Sequence, residues 1–175
     1  MPLNQRDART VGETITVDET KNGPFQLKVR AGSATFIVDE PLGVGGLGSG
    51  PNPYDLLSAA LGACSVMTVR LYATRKKWPL DRVRVKVTHH RSGLDSAETF
   101  YRELQFAGRL SAEQEQKLLE IASHCPVHKT IERGSTVVTS LAPSARQMEE
   151  VVSLCEHLRD MEQACDQAEA RAAPS

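Results

Sequence analysis

Neither sign of charge is in excess: 21 lysines and arginines stand against 22 acidic residues, a formal net charge of −1. That balance leaves no basic footprint for nucleic acid and no cationic patch for a membrane surface. The first ten residues, MPLNQRDART, are polar and lack the apolar segment of a signal peptide. No uninterrupted run of about twenty apolar residues reads as a membrane span. These absences predict a cytoplasmic chain, in which the four cysteines rest as thiols and any disulfide is transient and catalytic. Internal repeats are missing too, as are paired CxxC motifs and an HExxH, the common zinc frameworks.

What is present is ordinary globular material. A hydrophobic fraction of 40% over 175 residues supports one domain with a real core, with room for an appendage. VGETITVD (11–18) alternates apolar and polar, KNGP (21–24) is turn chemistry, and FQLKVRAG and SATFIVDE read as two further strands. The first forty residues thus predict an antiparallel meander. PLGVGGLGSGPNP (41–53) follows and contains a formal GxGxxG at Gly43, Gly45 and Gly48. A dinucleotide loop opens a helix directly inside a parallel βαβ unit. Here Pro51 and Asn52 intervene after antiparallel strands, so the segment reads as a flexible loop.

Asn52 and Pro53 form an N-cap and first-turn pair for a long helix ending before Pro79. Its apolar stripe is Leu57, Ala60, Leu61, Cys64, Met67, Thr68 and Leu71, and small residues around Cys64 leave room for a second backbone. DRVRVKVTHHRS and ETFYRELQFAGRL predict a hairpin. Ser111 and Gln114 make a capping box for the next helix, Cys125 and Pro126 start a short one, and STVVTSLA predicts a closing strand. The main domain therefore spans 1–143. Residues 144–175, with Met148, Val151, Cys155, Leu158, Met161 and Cys165 at helical spacing, predict an amphipathic appendage with a frayed end.

Two cysteines carry the chemistry. Cys64, on a helix stripe, reads either as a small buried hydrophobe or as a nucleophile. Cys125 stands where a helix begins, so unpaired N–H groups favour its thiolate, and His124 and His128 add charge when protonated. The structural alternative is a plain helix cap with surface histidines. Zinc held by His124, Cys125 and His128, joined by Cys64, is a third reading, disfavoured by the spacing. His89 and His90 point to opposite faces of a strand. Cys155 and Cys165 read as packing residues.

GSGPNPYDLLSAALGACSVMTVRLYA, with the distant CPVHKTI and a closing strand, resembles the OsmC/Ohr family of thiol proteins from about residue 11 to 141. That resemblance implies an α+β fold with antiparallel sheets around long central helices and an intertwined homodimer. It implies thiol-dependent reduction of hydroperoxides, organic ones preferred, in oxidative-stress defence. Cys64 is then the attacking thiol and Cys125 the resolving one, with no bound cofactor and an external dithiol as reductant. The family's glutamate position holds Tyr54, followed by Asp55, and its arginine position holds Lys21, with Arg30 a second candidate cation. Lysine lacks the guanidinium fork, and a tyrosine is neutral at pH 7. Two alternatives accompany these departures: an OsmC-fold binding or redox protein for a small apolar ligand without turnover, and a zinc protein.

Overall fold

Alternation of side chains lays three strands side by side at the start of the chain. In the computed structural model, which describes residues 14–93, 96–141 and 156–171, β1 is Ile15–Glu19, β2 Leu27–Ala31 and β3 Ala34–Val38. They form the expected antiparallel meander, with Val17 opposite Val29 and Val29 opposite Phe36. The glycine-rich segment after β3 is tightly held. The Asp39 carboxylate, 1% exposed, accepts the N–H groups of Glu40, Leu47 and Ser49 and the Ser49 hydroxyl, the last at 2.7 Å. A Cβ on Gly46 would stand 1.9 Å from the Glu40 carbonyl oxygen, and one on Gly50 2.2 Å from that of Ile37. The expectation of a flexible loop is corrected: these two glycines let backbone pack on backbone around a buried carboxylate.

Among the described residues, 14–53, 138–141 and 156 belong to one compact unit, and 54–93, 96–137 and 157–171 to a second. In the second, α1 is Pro53–Arg75, starting directly after Asn52. β4 (Leu80–His90) and β5 (Thr99–Gly108) form the antiparallel hairpin, with Val83 opposite Phe106, Val85 opposite Leu104 and Val87 opposite Arg102. α2 (Ala112–Ala122) carries the capping box of Ser111 and Gln114, α3 is Pro126–Arg133, and α4 is Glu156–Ala170. The larger core joins Val69, Tyr72 and Ala73 of α1, Leu118 and Ile121 of α2, and Cys165 and Ala168 of α4. So α4 contributes directly to this unit's interior. Met148, Val151 and Cys155 lie outside the described residues.

Three expectations shift. The buried face of α1 is Leu61, Cys64, Ser65, Thr68, Val69 and Tyr72, while Leu57 and Met67 are 47% and 51% exposed. Contrary to the reading of the sequence, α1 is long and apolar enough by composition to cross a membrane, yet its face buries against β4–β5, α2 and α4 as a core helix does. Residues 135–141 form no strand among the described residues, and Val137, Val138 and Leu141 are exposed. A strand forms only against another edge, which local alternation does not supply.

Candidate thiol site

Cys64 comes from the middle of α1 and Cys125 from the cap of α3, and both are buried free thiols at 1% and 0% exposure. Their neighbours are apolar: Leu61, Val87, Phe100, Val127 and Ile131. The two thiols hydrogen-bond to one another. Gly62, two residues before Cys64, leaves space filled by Val87 and Val85, and a Cβ there would already touch Val87 at 3.4 Å.

Their polar surroundings differ. Cys125 Sγ accepts the His128 N–H at 3.4 Å, as an N-cap does, and lies 3.7 Å from Ser65 Oγ. Arg102 on β5 donates through Nη1 to Ser65 Oγ at 2.8 Å and to the Ala122 carbonyl at 2.9 Å. The hydrogen bond from Cys64 leads the forces that lower the Cys125 pKa to about 6; burial opposes, and the His128 N–H, Ser65 and the Arg102 charge add to the lowering. Cys64 moves the other way, raised by that same shared hydrogen bond and by burial. It accepts the Val127 N–H at 3.5 Å, and the His157 ring Nε2 of α4 lies 3.3 Å from its sulfur.

Beside the pair, a hollow of about 510 Å³ is lined by Leu61, Phe100, Ile131, Arg102, His128 and Glu132. A second hollow of about 540 Å³, lined by Arg82, Arg84, Phe106 and Glu115 among others, shares none of these residues. Buried thiols at a charged, capped position next to a hollow of mixed polar and apolar lining are suited to thiol–disulfide chemistry on a small molecule.

A model of the OsmC-like protein family matches residues 46–140, more than half of the chain. The chain belongs to the OsmC-like family. Its fold is that of solved OsmC-like proteins. It is 20% identical to an OsmC-like protein from Mycoplasma pneumoniae, at a TM-score of 0.59, with 69% of this chain and 87% of that one covered. An organic hydroperoxide resistance protein from Legionella pneumophila gives 22% identity and a TM-score of 0.52, covering 69% and 88%. One from Elizabethkingia anophelis gives 23% and 0.53, covering 68% and 87%. No curated protein matches the chain.

Of the residues named from the sequence, this OsmC-like chain brings together Cys64, Cys125 and His128. Burial lowers the His128 pKa, and the Arg102 charge adds to the effect. Tyr54 reaches the edge of the site through rings: it stacks on His89 at 4.6 Å, and His89 contacts Phe100 at 4.6 Å. Its hydroxyl accepts from Arg91 at 2.8 Å and hydrogen-bonds Glu98 at 3.3 Å. Asp55 sits in the first turn of α1, where a carboxylate suits the helix dipole. Lys21 and Arg30 belong to the first unit: Lys21 occupies the turn at φ 62°, and Arg30 pairs with Asp18. His124 turns its Nδ1 to the Glu120 carbonyl at 2.8 Å, and no group of three or more potential metal ligands occurs among the described residues.

Reading the sequence missed Arg102, Ser65 and His157. Arg102 had a signal: it shares the inward register of β5 with Phe100, Leu104 and Phe106, and a charge in an apolar row needs a partner. His157 had a weaker one. The face of α4 that is buried is Met161, Cys165 and Ala168, and its extension one turn back falls on His157 rather than on exposed Leu158.

Proposed function

We propose that this protein reduces organic hydroperoxides with Cys64 and Cys125, in oxidative-stress defence in the cytoplasm. The observation that carries the reading is the mutually hydrogen-bonded thiol pair beside a hollow with Leu61, Phe100 and Ile131 on its wall. Two of the similar structures are named as organic hydroperoxide resistance proteins. The Cys64 thiolate attacks the distal peroxide oxygen, the O–O bond breaks, and the alkoxide leaves, giving a sulfenic acid. The Cys125 thiolate then attacks that sulfur; the hydroxyl leaves with a proton as water, and a disulfide forms. An external dithiol restores both thiols by exchange. The apolar part of the hollow suits the organic end of the peroxide. A homodimer is part of the proposal, since Leu57 and Met67 leave apolar area of α1 uncovered.

The test is hydroperoxide consumption with a dithiol donor in the parent, Cys64→Ser and Cys125→Ser. Turnover should vanish in Cys64→Ser, and Cys125→Ser should retain about one turnover before stalling as a sulfenic acid. A parent that binds small apolar ligands and consumes no peroxide would favour the second reading, a binding module built on the same hollow.

A further inference from the structure

The family-matched segment ends at residue 140, and α4 lies beyond it. Yet α4 runs alongside α1 in the same direction. Its Cys165 lies 4.0 Å from the Thr68 carbonyl, Asp166 pairs with Arg75 at 2.8 Å, and Glu169 pairs with Lys76 at 3.1 Å. Met161, Cys165 and Ala168 are buried, so the helix is held by core contacts as well as by charge. This seating delivers His157 to the sulfur of Cys64 at 3.3 Å.

Cys64 has need of it. A thiol must lose its proton to attack, and an apolar, mid-helix setting opposes that loss. The neighbouring polar groups serve the other sulfur: Arg102 acts through Ser65 on Cys125, and Cys125 caps the start of α3 by accepting the His128 N–H. Around Cys64 itself the polar groups are Thr68 from α1, Cys125 and the Val127 N–H from α3, and His157 from α4, with His128 and Arg102 beyond them. Among the described residues, His157 is the one basic side chain within hydrogen-bond distance of Cys64 Sγ.

We infer that His157 is a catalytic residue, taking the Cys64 proton and holding the resulting thiolate as an ion pair. The inference rests on the peroxide-reducing reading for its substrate. The Cys64 thiol gives its proton to the imidazole Nε2, and a sulfur lone pair forms the S–O bond as the O–O bond breaks. The departing alkoxide keeps that electron pair and takes the proton back from the imidazolium. Sulfur is oxidised by two electrons, the peroxide is reduced to alcohol and sulfenic acid, and His157 ends neutral. The imidazolium also competes with Arg102 for the pair's single negative charge, so it decides which sulfur is the nucleophile.

The test uses the full chain and reads thiol reactivity directly. Cys64 and Cys125 are labelled with iodoacetamide at neutral pH and quantified separately by mass mapping, in the parent, His157→Gln and His157→Ala. Labelling of Cys64 should fall about a hundredfold in both variants, the low end of what a positioned base contributes, while Cys125 labelling holds or rises as the shared charge passes to it. Free imidazole should restore part of the lost rate in His157→Ala. Parent-like Cys64 labelling in His157→Gln would overturn the inference. So would a loss in His157→Ala that imidazole does not repair while circular dichroism shows the helices intact. Peroxide consumption is followed in parallel. A parent that labels in this His157-dependent way yet consumes no peroxide refutes the peroxidase reading and supports the pairing of His157 with Cys64.

Discussion

Two buried clusters in the second unit each enclose cysteine, and they treat it in opposite ways. Cys165, in the larger core, and Cys125, in the smaller, are both 0% exposed. Cys165 lies mid-helix; burial raises its pKa, and the helpful charge of Arg75 is countered by Asp166, Glu169 and Glu162. Cys125 caps a helix and accepts hydrogen bonds, with Arg102 behind Ser65, and its pKa falls. Equal burial therefore gives one inert sulfur and one acidic sulfur. The hydrogen bond from Cys64 leads the difference, and the His128 N–H, Ser65 and the Arg102 guanidinium add to it, because a desolvated charge depends on the few dipoles that face it.

Arg102→Met should narrow this difference and, with its cost in stability, has the largest expected effect. It removes the charge near Cys125 and leaves Ser65 and the Ala122 carbonyl short of a donor, a cost of roughly 3 kcal/mol in unfolding free energy. Labelling of Cys125 at about pH 5, below its pKa of about 6, should fall about tenfold, the equivalent of one pKa unit. Unchanged labelling would show that Cys64 and the helix cap set the acidity without the guanidinium. Next in size is a pH dependence of stability. The Cys125 pKa falls from 9.0 to about 6 on folding, so between those values the unfolded chain binds more protons and stability rises with pH. Above pH 9 the raised Cys64 keeps its proton in the fold while the unfolded thiol ionises, and stability falls again. Urea unfolding across this range should show a rise of a few kcal/mol, at most about 4 for a pKa that falls from 9.0 to about 6, in the parent and none in Cys125→Ser. The smallest effect is expected for Cys165→Ala, a loss of about 1 kcal/mol from a small cavity. Its labelling of Cys64 and Cys125 should match the parent, and any change there would tie the two clusters together.

Local signals in the sequence were read well because the structures they encode are local. Ser111 and Gln114 need only each other to cap α2, and Cys125 with Pro126 starts α3 by the same short-range logic. The meander and the β4–β5 hairpin follow from alternation and turn residues. Partners distant in sequence were the ones lost. Ser65 and Arg102 meet across 37 positions and His157 meets Cys64 across 93, distances over which periodicity carries no information. The segment 135–141 shows the converse: its alternation is real, but the ladder that would make it a strand is a property of a second edge. The Asp39 loop misled for a related reason. Its glycines signalled mobility, when their role is to let carbonyls of Glu40 and Ile37 come close.

The sulfur that would close a disulfide with Cys64 is also the acceptor that begins α3. A sulfur committed to a disulfide carries no negative charge and is a poor acceptor for the His128 N–H. On the proposed mechanism, oxidation would therefore loosen the first turn of α3, and by thermodynamic reciprocity anything that tightened that turn would favour the reduced pair. Ile131, His128 and Glu132, all on α3, line the hollow. A molecule lodged there would touch the same short helix whose order would follow the oxidation state, and occupancy and redox potential would be two readings of one equilibrium.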